Sequence, residues 1–268
     1  MPDKISILFL GDIIGRPGRK VLKRCLPSFI EKYSPSAVIA NGENAAGGIG
    51  ITEEIGRELL AQVDVLTSGN HIFDKKEAES YLDREPRLLR PANYPSPNPG
   101  KGTYIFESNE GKKVGILNLQ GRVFMEPIDC PFRVADEELK RLKEMTSVII
   151  VDFHAEATSE KQAMGWYLDG KVSAVIGTHT HVTTADERIL PQGTAFITDV
   201  GMVGGLDSVI GIRSELAIRR FLTGRPQRLE PAKTGLFFSG VFIEVDEPSG
   251  KALSIKREII KEEESGKD

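Results

Sequence analysis

The chain is sparing with histidine, cysteine and tryptophan. Of its 268 residues, four are histidine, two are cysteine and one is tryptophan. Cys25 and Cys130 lie far apart, in no metal-type spacing, so the sequence carries neither a disulfide framework nor a thiolate zinc site. No stretch approaches the ~20 consecutive apolar residues of a membrane-spanning helix. The opening run ISILFLGDIIG is short and broken by Asp12, unlike a secretory signal. The expected compartment is therefore the cytoplasm. A dominant basic charge is also missing: the formal net charge is −4, which weighs against a broad nucleic-acid-coating surface but not against a local basic patch. GDIIGRPGRK supplies neither the Walker A pattern nor G-x-G-x-x-G, so a P-loop and a Rossmann dinucleotide site are both disfavoured.

What is present is an alternation. Short β-branched apolar runs predict strands over 5–11, 37–41, 64–69, 147–155, 172–181 and 194–201. Runs with apolar residues at spacings of three and four predict helices over 16–33, 52–62, 75–84, 135–145, 159–169 and 214–222. Pro27 is expected to kink the first helix, and Ser159 with Gln162 has capping-box spacing. Hairpins are expected over 103–108 with 113–120, and over 235–246 with 252–260. The proline-rich stretch 86–99 reads as irregular, and 261–268 reads as a solvated tail. No repeat or composition break divides the chain, so a single α/β domain over 1–268 is expected.

In α/β sheets, ligands sit beyond the carboxyl ends of the strands. Five predicted strands end in Gly11-Asp12, Asn41-Gly42-Glu43-Asn44, Gly69-Asn70-His71, Asp152-Phe153-His154 and Gly177-Thr178-His179-Thr180-His181. All four histidines fall at such ends. One strand-end histidine is ordinary, and a lone aspartate there is often a cap or turn former. Five strand ends that all supply metal-compatible groups point to a shared centre. Imidazoles with carboxylates and carboxamides form a mixed nitrogen and oxygen donor set, which suits Mn, Fe, Co or Zn better than Mg or Ca. There are more donors than one tetrahedral ion needs. A pair of ions about 3.5–4 Å apart, bridged by a shared carboxylate, would use them all. On an extended strand end, residues i and i+2 project the same way, so His179 and His181 are expected to face one side and each reach a different ion.

Read in chain order, GD, GEN, GNH, a lone strand-end histidine and GTHTH resemble the calcineurin-like metallophosphoesterase superfamily. The forms GDIIGRPGR, ANGENAAGG, TSGNHIFD, VDFHAEATSEK and GTHTHVTTAD resemble its YmdB-type branch, and the resemblance covers essentially the whole chain. Three positions depart from the wider superfamily. Ile13-Ile14 follows Asp12 where Asp-x-His is usual, Gly42-Glu43 stands for Gly-Asp, and Ile72 follows GNH where an acid is usual.

The resemblance implies an α/β fold, a four-layer αββα sandwich of two mixed sheets flanked by helices. It implies two divalent transition-metal ions, iron or manganese foremost, with zinc or cobalt as further options. Asp12, Glu43, Asn44 and His181 would bind one ion, and Glu43, Asn70, His154 and His179 the other, with Glu43 as the bridge. His71 would act near the leaving group. The implied substrates are 2′,3′-cyclic nucleotides, with RNA ends as a further class. The implied attack on phosphorus is by a metal-bridging hydroxide, which forms near neutral pH because the ions lower the water pKa. Self-association is plausible for this family, and no membrane partner is expected.

Pocket-shaping candidates are Arg122 and Phe124 after the strand ending at Gln120, together with Thr183 and the stretch Asp199-Val200-Gly201-Met202. Two other readings stay open. A nuclease or phosphomonoesterase could use the same centre, although a nuclease needs a basic groove beside it. A regulatory protein could sense a nucleotide with little turnover.

Overall fold

The apolar runs read from the sequence are hydrophobic on both faces, and such strands must be covered on both sides. The structure, a computed structural model, describes residues 4–262. Its first half contains β1 (Lys4–Leu10), β2 (Asp12–Ile13), α1 (Gly15–Tyr33), β3 (Ala37–Asn41), α2 (Glu53–Leu60), β4 (Val65–Thr67), α3 (Glu77–Leu82), β5 (Thr103–Glu107), β6 (Lys113–Gln120) and α4 (Pro131–Lys143). The second half contains β7 (Ile149–His154), α5 (Thr158–Leu168), β8 (Ala174–Thr178), β9 (Arg188–Ile189), β10 (Ala195–Ile197), β11 (Met202–Gly204), α6 (Ser214–Thr223), β12 (Leu236–Asp246) and β13 (Ala252–Glu262).

Two mixed sheets result. In the first, β1, β3 and β4 run parallel, while β12 lies antiparallel to β1, to β11 and to β13. In the second, β6, β7, β8 and β10 run parallel, with β5 and β9 antiparallel at the two edges. Side chains alternate across each strand, and this sorts them into layers. Ile5, Ile7 and Phe9 of β1 join Ile39, Val65 and Ile243, and meet Ile116, Ile150, Ile176 and Ile197 of the other sheet. Leu8 and Leu10 point the other way, onto Val21, Leu22, Leu26 and Phe29 of α1 and Leu59 of α2. The second sheet repeats this, with Leu117, Val151, Phe153 and Val175 packed on Leu139 of α4 and Met164 and Leu168 of α5. The order is helix, sheet, sheet, helix, as the resemblance implied. Among the described residues no helix is long and apolar enough to cross a membrane.

Several local expectations change. Helix α4 starts earlier than expected, with Pro131 in its first turn, where a missing N–H costs nothing. Ser159 does not cap α5: the helix begins at Thr158, and its N-cap residue Ala157 has no side-chain cap. Of the predicted strand 194–201 only Ala195–Ile197 is a strand, β10, and residues 198–201 cross to the other sheet, where β11 begins at Met202. Lys261 and Glu262, expected in a tail, end β13, and the rest of that tail lies outside the described residues.

Candidate metal centre

Glycines let the strand ends approach one another. A Cβ at Gly11 would overlap the carbonyl of Gly201, which accepts a hydrogen bond from the Asp12 N–H at 3.1 Å. A Cβ at Gly69 would overlap the His154 ring, so the ring can lie against this backbone only because no side chain is present. After β3, the Asn41 side-chain oxygen accepts from the Glu43 N–H at 3.1 Å, a local turn that swings Glu43 inward.

The backbone of the THTH segment differs from the expectation. β8 stops at Thr178, and His179 and His181 have φ of 100° and 63°. They do not lie on an extended strand, so the i and i+2 rule does not place them. The crossing segment holds this turn. The Asp199 carboxylate accepts from the Thr180 N–H at 3.1 Å and from the Gly201 N–H at 2.8 Å, and pairs with the buried Lys161 at 2.6 Å. The two imidazoles then reach different neighbours.

One group forms around His154. Its Nε2 lies 2.9 Å from Glu43 Oε1, 3.2 Å from Asn70 Oδ1 and 3.0 Å from His179 Nδ1. The other forms around Asn44, whose side-chain amide lies 3.2 Å from His181 Nε2, 3.4 Å from Asp12 Oδ1 and 3.4 Å from Glu43 Oε1. His181 Nε2 is 3.6 Å from Asp12 Oδ1. Glu43 Oε1 thus belongs to both groups. The Asn44 amide presents either its nitrogen or its oxygen to the group on rotation, since the two are near-equivalent in shape.

The outer nitrogens are occupied. His181 Nδ1 donates to the Ile210 carbonyl at 2.8 Å, and His154 Nδ1 meets the Thr178 hydroxyl at 2.9 Å. That hydroxyl donates to Asp152 at 2.7 Å. His179 Nε2 lies 3.1 Å from Glu156. Partners of this kind fix the tautomer and turn the inner nitrogen toward a ligand.

The electrostatics of the centre follow from burial and from the facing charges. Burial by itself pushes the Asp12 and Glu43 carboxyls up, but the facing imidazoles outweigh it and hold both below the usual carboxylate range. Burial pushes His154 down, yet Glu43, first among the facing carboxylates, lifts it to about 9. His179 is pushed down to about 3 by burial and by the neighbouring His154. Asp152, behind the centre, is pushed up to about 7 by burial. Asp12 and Glu43 are fully buried, and among the described residues no lysine or arginine pairs with either. Their countercharge thus comes from the facing imidazoles alone, a role that a divalent ion could also fill. The ligand atoms of Glu43, His154 and His179 all lie within 4.8 Å of one another, a group that can hold a metal ion.

His71 stands apart from both groups. Its N–H donates to Glu43 Oε2 at 3.0 Å, and its ring Nδ1 lies 2.7 Å from Asp74. A cavity of about 860 Å³ opens over the centre, lined by Glu43, Asn44, His71, His179 and His181.

The model of the YmdB-like protein family matches residues 8–258. The chain belongs to the YmdB-like family. A 2′,3′-cyclic-nucleotide 2′-phosphodiesterase of Bacillus subtilis (strain 168) is 50% identical over 260 residues, covering 97% of this chain and 98% of that protein. Among solved structures, a novel phosphatase from Mycoplasma pneumoniae superposes with a TM-score of 0.92 at 39% identity, covering 99% of this chain and 96% of that one. A hypothetical protein from Thermus thermophilus superposes with a TM-score of 0.89 at 41% identity, covering 96% of this chain and 100% of that one.

In this member of the YmdB-like family, the structure brings Asp12, Glu43, Asn44, Asn70, His154, His179 and His181 together, with His71 beside them. Two pocket candidates fall away: Arg122 and Phe124 do not line the cavity, and the Phe124 ring is 89% exposed. The backbone N–H groups of Arg122 and Val123 bind Glu160 instead, which turns this loop outward. Thr183 bonds to the Ser239 hydroxyl at 2.8 Å, a link within the fold. Sequence reasoning missed Asp74, Glu156 and Lys161. The spacing of Asp74, three residues after His71, was the one available signal. Glu156 lies in the quoted DFHAEATSEK, but its contact with His179 is not a pattern that spacing encodes.

Proposed function

We propose that the chain is a metal-dependent phosphodiesterase that opens 2′,3′-cyclic nucleotides. The observation that carries this reading is the pair of donor groups sharing Glu43 Oε1, with His71 beside them at the floor of the cavity. The name of the Bacillus relative supports the substrate class. In this reading Asp12, Glu43, Asn44 and His181 hold one divalent ion, and Glu43, Asn70, His154 and His179 hold the second. Iron or manganese suits the nitrogen and oxygen donors best. Such ions supply Lewis acidity that activates water and neutralises the phosphoryl oxygens.

The rest falls to the chain's own residues. Asp74 holds the Nδ1 edge of His71, which leaves Nε2 to donate a proton to the departing ribose oxygen. One water oxygen joins phosphorus, one P–O bond to the ribose breaks, that ribose oxygen leaves with the proton from His71, and the proton given up by the water restores His71 through solvent. Ile14, Ile49, Ile210 and Ile212 give the cavity an apolar wall against which a base can lie. The chain acts as one domain in this reading, since both sheets share an apolar layer and both supply donors. Its unpaired cysteines, Cys25 and Cys130, support a cytoplasmic setting.

The test is hydrolysis of 2′,3′-cyclic AMP by manganese-loaded and by chelator-stripped protein, with the product resolved chromatographically. Metal-dependent conversion to a single AMP isomer is expected. No turnover with manganese, iron or zinc would overturn the reading in favour of a nucleotide-sensing protein or another phosphoester.

A further inference from the structure

The cavity has two chemically distinct ends. Its inner end holds the carboxylates and imidazoles described above. Its outer end is lined by Arg220, Gln227 and Arg228, with Lys75 on another wall. A second cavity of about 440 Å³ continues from there, lined by Arg220, Phe221, Gly224, Arg225, Pro226 and Gln227. The two adjoin at Arg220 and Gln227, and only the first is lined by residues of the centre. Residues 216–229 carry four arginines (Arg219, Arg220, Arg225 and Arg228) and no acid, in a chain whose net charge is −4. Among the described residues, none of Lys75, Arg220, Arg225 and Arg228 forms an ion pair, whereas Arg213, just before this segment, pairs with Glu215 and Glu230. Beside these arginines Phe221 is 82% exposed.

We propose that the substrate is the 3′ end of an oligoribonucleotide bearing a terminal 2′,3′-cyclic phosphate, with the preceding phosphates lying along Arg220, Arg225 and Arg228. This inference rests on the phosphodiesterase reading. A nucleoside 2′,3′-cyclic phosphate has a single phosphate, and that phosphate is held at the centre. It leaves the arginines without a partner. A strand supplies further phosphates on the 5′ side of the terminal nucleotide. Unpaired arginines that track a backbone, with an exposed aromatic ring on which a base can stack, form the usual single-strand platform. A two-fold contact with a second copy through this segment would instead bring like charges together. The reaction at the centre is unchanged. Water adds to phosphorus, one ribose P–O bond breaks, and the strand keeps its length and ends in a phosphomonoester. The reaction that supplies this end is RNA cleavage by attack of a ribose 2′-hydroxyl on the neighbouring phosphodiester.

The experiment compares kcat/KM of the manganese-loaded protein on 2′,3′-cyclic AMP and on a tetra-adenylate with the same cyclic end. The strand is expected to be favoured by about tenfold or more, equivalent to about 1.4 kcal/mol. In the double variant Arg220→Gln, Arg228→Gln that ratio falls toward one. A second readout needs no turnover: binding of a labelled tetra-adenylate 3′-phosphate as salt is varied. The double variant should flatten the salt slope by about 1.4, for two lost phosphate contacts at ~0.7 each. Opening of both substrates at equal efficiency, or a ratio and slope unmoved in the variant, would overturn the inference and leave the cyclic-nucleotide reading standing. Shortening of the strand would overturn it in favour of a nuclease. Failure to open either substrate would overturn both.

Discussion

His71 contributes to neither donor group, and its ring edge is held by Asp74 at 2.7 Å. Its removal should therefore separate binding from chemistry. The variant His71→Ala should keep its metal content by elemental analysis and lose about 10²–10⁴ of its turnover of 2′,3′-cyclic AMP, the usual contribution of a positioned acid. An unchanged rate would exclude His71 from the proton transfer. The chemistry of single residues was readable because the histidines are few and every one ends or follows a strand. Their geometry was not. His179 and His181 adopt positive φ because the Asp199 carboxylate and Lys161 fold the turn, a contact between segments distant in sequence. Asp74 escaped notice for the opposite reason, since a lone acid after Phe73 resembles an ordinary helix-preceding residue.

The elements that carry the centre were largely visible: β1, β3, β7 and β8 are buried runs with polar ends. The elements missed were β2, β9 and β11, of two or three residues each, too short for any periodicity to register. β2 and β11 pair with each other and lock the Asp12 and Gly201 segments together, so this omission concealed how the first ligand is held. The turn after β4 makes an element-level test. In Gly69→Ala the new Cβ meets the His154 ring, and ring or turn must move. The variant should stay folded by circular dichroism while losing at least tenfold in metal affinity, as when ligand orientation is disturbed. Unaltered affinity would show that the ring has room the structure does not give it.

The molecule as a whole joins two sheets through one apolar layer, and the donors come from the ends of both. A cation at the centre would therefore tie the sheets together and offset the cost of burying Asp12 and Glu43. Chelator-stripped protein should melt below manganese-loaded protein. The stabilisation behind this difference should grow with free metal and reach about 4 kcal/mol at a thousandfold excess over Kd. Equal melting temperatures under saturating metal would contradict a metal site built into the native fold. The four-layer order followed from alternation along the strands. The run of arginines did not, because overall charge hides a local segment of one sign.

In the proposed site two ions share Glu43. This is tested most directly by elemental analysis of the natural chain and of Glu43→Gln, purified from the same metal supplement. Glutamine fills the same space but lacks the charge that both groups use. The natural chain should hold about two ions, as a bridged pair requires, and the variant fewer than about one. Two tightly held ions in Glu43→Gln would contradict the shared carboxylate.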